Sequence, residues 1–186
     1  AVPVLVAYNI PNRDCGQHSA GGAAGADGYR RWIHSFAQGL AGQAAIVILE
    51  PDALALTDCL SESARAERFA LMRDAVRELE GQGAAVYLDA GHAGWVAAPE
   101  MARRLQAAGV AEAHGFALNV SNFQPTAQNA AYGDALSGMV GGKHYVVDTS
   151  RNGAGAAGGE WCNPRGRALG ELPTTRTGRP LADAFL

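Results

Sequence analysis

The chain has 186 residues and a formal net charge of −3. That length supports one domain with a sizeable core, and the mild acidity gives no electrostatic case for nucleic acid or an anionic membrane. No apolar run approaches the ~20 residues of a membrane-spanning helix. Pro3 and Asp14 interrupt the first apolar run, so a mature or trimmed form without a signal peptide is expected. The three cysteines, Cys15, Cys59 and Cys162, lack CxxC spacing, which argues against structural zinc. They allow one disulfide and one leftover thiol in a secreted protein, or three reduced thiols in a cytosolic one.

Val2 to Ile10 reads as a strand, followed by the polar loop Pro11 to Gly16. The Gly/Ala-rich run Ser19 to Ala26 has neither a dinucleotide fingerprint nor the lysine of a P-loop. Asp27 is the expected N-cap of a helix with Tyr29, Trp32, Ile33, Phe36 and Leu40 on one face. The next strand, Ala44 to Leu49, holds the unbroken apolar run Ile46-Val47-Ile48-Leu49, as in a strand buried on both faces. Pro51 stops it between two carboxylates, Glu50 and Asp52. Ser61 is the expected cap of a helix from Glu62 to Glu80, with Phe69, Met72, Val76 and Leu79 inward and its Arg and Glu side chains read as a solvated face. A strand from Ala84 to Leu88, a helix led by Pro99 with Met101 and Leu105 inward, a strand from Phe116 to Leu118 and a helix from Thr126 to Met139 follow. His144 to Val147 is the last clear strand. Beyond it the chain is rich in Gly, Arg and Pro with little periodicity, the pattern of a functional or disordered loop.

Strand, helix, strand recurs about every 30–40 residues, which predicts an α/β fold with a parallel sheet. An open doubly wound sheet and a barrel both fit, and polar clusters after every strand favour the barrel. The strand ends deliver Tyr8 and Asp14, then Glu50 and Asp52, then Asp89, His92 and Trp95, then Asn119 and Asn122, then Asp148 and Arg151. The opposite ends are bland: Gly42, Gly83 and Gly142. Carboxylates beside aromatics point to glycoside chemistry, in which an acid protonates the leaving oxygen and a second carboxylate assists a water or attacks. A metal site on Asp89 and His92 is the poorer reading without a second clear histidine. A Ser19–His92 dyad lacks the GxSxG elbow.

Five stretches together carry a resemblance: Tyr8-Asn9-Ile10-Pro11-Asn12-Arg13-Asp14-Cys15-Gly16, Ile48-Leu49-Glu50-Pro51-Asp52, Leu88-Asp89-Ala90-Gly91-His92-Ala93-Gly94-Trp95, Asp148-Thr149-Ser150-Arg151-Asn152-Gly153 and Trp161-Cys162-Asn163-Pro164. In order and across nearly the whole chain, they resemble glycoside hydrolase family 6, the inverting β-1,4-glucanases that include endoglucanases and cellobiohydrolases. The resemblance implies a distorted, incomplete parallel (β/α) barrel, with residues 1–186 as a single catalytic domain cut at both ends. It implies that Asp52 is the general acid and that Asp14 supports it and helps organise the catalytic water. Tyr8 then lies against the distorted sugar, and Ser19 is a ligand of that water. Asp89, His92, Trp95, Asn119, Asn122, Trp161 and Arg167 are implied as the sugar-binding wall, with Asn119 and Asn122 hard to tell apart. A Cys15–Cys59 disulfide is implied too. In the family Cys162 pairs with a cysteine beyond a stretch like Leu181 to Leu186, where the usual catalytic base also lies.

The short, small-residue loop between Asn152 and Trp161 favours endo action. The expectation is therefore a secreted, monomeric endo-β-1,4-glucanase acting on cellulose or a related β-glucan, without cofactor or metal. The alternative is an inactive glycan-binding fragment that lacks the base.

Overall fold

The computed structural model describes residues 2–186. Six strands alternate with four helices: β1 (Val4–Ala7), α1 (Ala26–Leu40), β2 (Ala45–Leu49), α2 (Glu62–Glu80), β3 (Ala84–Asp89), α3 (Ala98–Ala107), β4 (Gly115–Leu118), α4 (Thr126–Met139), β5 (His144–Val147) and β6 (Ala182–Phe185). All five strand pairs are parallel, and the order across the sheet is the order in the chain. A sheet wound in one direction by right-handed crossovers carries its helices on one face, so the doubly wound alternative falls away.

Alternation along the strands sorts the two faces. Val47, Leu49, Val86, Leu88, Phe116, Leu118, Tyr145 and Val147 join the main core with the helices. Ile48, Tyr87, Ala117, Val146 and Ala184 form a smaller cluster on the inner face. The sheet curls far enough that the Tyr87 hydroxyl on β3 donates to Asp183 on β6 at 2.8 Å, across two intervening strands. Among the described residues the curl does not close: β1 pairs only with β2, and Val4 and Val6 are exposed. This is an incomplete α/β barrel, as the sequence predicts.

Four details differ from that reading. β1 is shorter than Val2 to Ile10, because its end is taken over by side-chain bonds described below. Asp27 does not cap α1; the helix starts at Ala26 behind Gly25, and Asp27 sits in the first turn, where its charge faces the helix dipole instead. Arg68 is not on a solvated face: it is 3 % exposed. The tail holds a sixth strand, Ala182–Phe185, whose ladder is interrupted where Tyr145 pairs with Ala182 but Val146 with Ala184, so Asp183 is an extra residue. The loop before β6 is tied by backbone bonds from Gly153 to Ala168 and from Gly170 to Thr149. Ser61 does cap α2, accepting from the Ala64 N–H at 3.2 Å.

Candidate active site

Every strand runs the same way, so all strand-to-helix loops emerge at one end of the half-barrel. After β2 the chain turns sharply. Glu50 and Asp52 both take left-handed φ, 51° and 67°, on either side of Pro51. The Asp52 N–H donates to Asp89 Oδ2 at 2.8 Å, and the Gly91 N–H reaches the same oxygen at 3.2 Å. The turn after β2 is thereby fixed to the end of β3. Asp89 is 1 % exposed, and its Oδ1 has no hydrogen-bond partner among the described residues.

The loop after β1 folds against this pair. Ser19 donates its backbone N–H to Asp14 Oδ2 at 2.7 Å. Arg13 lies over the Tyr8 ring, 4.6 Å from its centroid, and donates to the carbonyls of Tyr8, Ser19 and Ala20. A disulfide joins Cys15 in this loop to Cys59 after β2, with Cα atoms 5.9 Å apart, as the family resemblance implies. Cys162 is free and exposed. A cavity of about 370 Å³ lies beside the disulfide, lined by Asn12, Arg13, Cys15, Cys59 and Ser61; none of the clustered carboxylates lines it.

Charge links this cluster through Asp52. Burial, then the neighbouring Asp14 carboxylate, pushes Asp52 up to about 6, while the Tyr8 phenol pulls it back. Burial, then the charge of Asp52, pushes Asp89 up to about 8. Tyr8 rises to about 12, from burial first and then from Asp52 and Asp14. Like charges crowded in a poorly hydrated site cannot all ionise. The arrangement holds a proton on a carboxyl near neutral pH, next to a carboxylate that can accept one.

The implied wall residues separate into three kinds. His92 and Trp95 are neighbours, ring centroids 5.2 Å apart, with Trp95 37 % exposed. Burial lowers the His92 pKa, and its Nδ1 meets the Ala93 carbonyl at 2.9 Å. Trp161 is more than half exposed and meets His18 edge-on at 4.9 Å, so a loop after β5 touches the loop after β1. Asn119 is fully buried: its amide donates to the Asp148 carbonyl and its oxygen accepts from Gln124, which makes it a brace of its loop. Asn122 is half-buried; its side-chain oxygen accepts from the adjacent Phe123 N–H, and its carbonyl from the Asn119 amide. Arg167 donates to the carbonyls of Ala154 and Gly155 within its own loop. Among the described residues no group of three or more His, Cys, Asp or Glu side chains is arranged to hold a metal ion.

The sequence does not show how Glu50 and Arg68 support this cluster. Glu50 is visible in it only as a carboxylate at a strand end, and Arg68 only as a charge on a helix. Burial is the dominant influence on both, raising Glu50 to about 7 and lowering Arg68.

Comparison with known proteins identifies the family. The sequence model described as Glycosyl hydrolases family 6 matches residues 1–186. Endoglucanase A of Cellulomonas fimi is 51% identical over 185 residues, covering 99% of this chain and 40% of that protein. Endoglucanase 1 of Streptomyces halstedii is 50% identical, covering 95% of this chain and 57% of that protein. The chain thus spans about half the length of these curated relatives. Among solved structures, the endoglucanase Cel6 of Mycobacterium tuberculosis, in complex with methyl-cellobiosyl-4-deoxy-4-thio-β-D-cellobioside, superposes with a TM-score of 0.97 at 54% identity, covering 100% of this chain and 65% of that one. The chain belongs to glycosyl hydrolase family 6.

Proposed function

We propose that the protein containing this chain hydrolyses β-1,4-glucosidic bonds of cellulose or a related β-glucan, within the polymer and with inversion at the anomeric carbon. The observation that carries this is the cluster of aspartates at the strand ends of a family 6 chain. The Asp52 turn is bonded to Asp89, the Asp14 loop is tied to it by the disulfide, and burial with the Asp14 charge raises the pKa of Asp52. A carboxyl that stays protonated into the weakly acidic range can give its proton to the leaving glycosidic oxygen. Asp14, held by the Ser19 N–H, supports the acid and helps organise the attacking water. Tyr8 lies against the sugar ring at the cleavage point. Trp95 and Trp161 are exposed aromatics of the kind that suit the apolar faces of glucose units. Asn122 and His92 line the same wall. Asn119 and Arg167 act through the loops they brace rather than on the sugar. The relatives that contribute most to this reading are named endoglucanases, and the chain of the Mycobacterium tuberculosis enzyme carries a thio-linked cello-oligosaccharide. The Cys15–Cys59 bond supports export to an oxidising compartment.

The test uses the full-length protein on a soluble cellulose derivative and on a cello-oligosaccharide. Rapid loss of viscosity per reducing end, and an α-anomer as the first product by proton NMR, are expected. A β-anomer as first product overturns inversion; slow viscosity loss overturns endo action; binding without product overturns the hydrolase itself.

A further inference from the structure

The short run Asn9 to Asn12 follows β1 and leads into the Asp14 loop. It lies outside strand and helix, and it is half-buried at Asn9 and Pro11 and fully buried at Ile10. Its backbone groups therefore need partners that no ladder supplies. Two charged side chains supply them from opposite sides. Glu50 accepts the Asn9 N–H on both carboxylate oxygens, at 3.0 and 2.9 Å, and the Ile10 N–H at 2.9 Å. Arg68, from α2, donates through Nη2 to the carbonyls of Pro11 at 3.1 Å and Asn12 at 3.0 Å. Through Nη1 the same guanidinium donates to the carbonyls of Ala53 at 3.1 Å and Leu56 at 2.8 Å, in the turn after Asp52. One side chain thus holds both loops that carry the clustered aspartates. Glu50 is 0 % and Arg68 3 % exposed, and the negative charge of Glu50 favours the charged guanidinium.

Burying a carboxylate and a guanidinium is a poor way to gain stability, since apolar residues of similar size often do as well or better. The Arg68 Nε has no partner among the described residues, which adds to the cost. What the two charges supply is position. The run they grip has Tyr8 at one end and leads to Asp14 at the other, and both press on Asp52. We propose that Glu50 and Arg68 act together as positioning residues that set Tyr8 and Asp14 against Asp52, and so tune the acid. This rests on the reading of Asp52 as the general acid. The guanidinium fork reaches four carbonyls in two loops, which a lysine ammonium cannot do from a single point. A glutamine at position 50 offers one acceptor oxygen where the glutamate offers two.

The test compares Arg68→Met, Arg68→Lys and Glu50→Gln with the parent in the full-length protein. If the couple positions the acid, folded Arg68→Met loses about 10²-fold in kcat on a cello-oligosaccharide with KM little changed, the scale of loss expected from a misplacement near 1 Å. The alkaline limb of its pH profile moves to lower pH, because relief of the Asp14 repulsion that raises Asp52 outweighs loss of the weaker Tyr8 bond that lowers it. Arg68→Lys recovers part of both effects, and Glu50→Gln shows the same changes in smaller measure. A direct NMR titration of the Asp52 carboxyl reads the same shift whether or not the protein hydrolyses glucan. A downward shift in Arg68→Met with a parent that cleaves nothing leaves the couple standing and removes the functional reading. If Arg68→Met does not fold, Glu50→Gln and Arg68→Lys carry the same measurements. Activity lost only in proportion to the folded fraction, with the Asp52 titration unmoved, overturns the proposal.

Discussion

The two ends of the half-barrel solve the same geometric problem with different residues. At the end where helices return to strands, left-handed turns fall mostly to glycine: Gly42, Gly83, Gly109, Gly141 and Gly142, with Ala41 the exception. At the end where strands feed loops, positive φ is shared: glycines such as Gly16, Gly91 and Gly94 take it, but so do Asn12, Asp14, Cys15, Glu50, Asp52, Asn119, Ser121 and Asn163. Glycine takes this conformation freely, whereas a residue with a Cβ loses roughly 1–2 kcal/mol there. One end is built for turning, and the other accepts strain so that carboxylates and amides can occupy the turn itself. The strained end is also the cross-braced one, with the Cys15–Cys59 bond, the Asp52–Asp89 contact and the Glu50 and Arg68 grips. The bland end has lighter ties, such as the Tyr87–Asp183 and His144–Asp183 bonds.

The largest separation of the two ends should come from chemistry. Asp52→Asn leaves fold and turn in place but removes the acidic proton. Hydrolysis of an unactivated glucan should fall by about 10²–10⁴-fold, while an aryl glycoside with a good leaving group is largely spared. Equal loss on both substrates transfers the acid role away from Asp52. Next in size is the covalent brace. Replacing Cys15 and Cys59 by serine should destabilise the protein by about 2–5 kcal/mol, read from denaturant midpoints together with a steeper slope as the unfolded chain expands.

A smaller effect has a distinctive pH signature. The Asp89 carboxyl lies near 8 in the folded state and near 3.9 in an unfolded chain, so the folded state binds its proton more tightly. Its stabilising contribution is complete below about pH 4 and is lost as pH rises through about 8. Asn at this position still accepts the Asp52 and Gly91 N–H groups but carries no charge. Asp89→Asn should therefore melt higher than the parent above pH 8, by about 2–4 °C for each kcal/mol recovered, and the gap should close below pH 4. A gap that persists at low pH points to packing rather than charge. The smallest effect belongs to the quiet end. Tyr87→Phe removes one hydroxyl bond to Asp183 and should cost about 1 kcal/mol with kcat unchanged. A loss of kcat there ends the distinction between the two ends.

The architecture was legible because its signals are local. Ile46 to Leu49 and Ala84 to Leu88 read as buried strands, and the Glu62–Glu80 helix announces its own cap and periodicity. β6 was not legible, since Asp183 breaks the alternation of a four-residue strand and its role depends on Tyr87 and His144 far away in the chain. The clustering of Asp14, Asp52 and Asp89 was legible, because each falls in a motif at a strand end. The partition of the wall was not. Asn119 and Asn122 are the same residue type three positions apart, and only burial separates the brace from the half-open side chain. Arg68 escaped for a related reason. Helical periodicity marks which stem faces the core, but an arginine stem can lie at the edge of that face and send its head under a loop.

Because sheet order equals chain order, a chain emerging from the ribosome meets each new strand with its neighbour already made. No strand after β1 must wait for a later partner, and the growing sheet never presents more than its two edges. A parallel pair still requires its crossover to be complete, so assembly advances one helix at a time. Cys15 and Cys59 both precede α2 in the chain, so the tie needs nothing beyond the first strand pair and the loops that follow its strands. β6 is the hardest step. It is the one strand whose connection contains no helix to shorten the search, and it must find its place across the long tether that follows Val147.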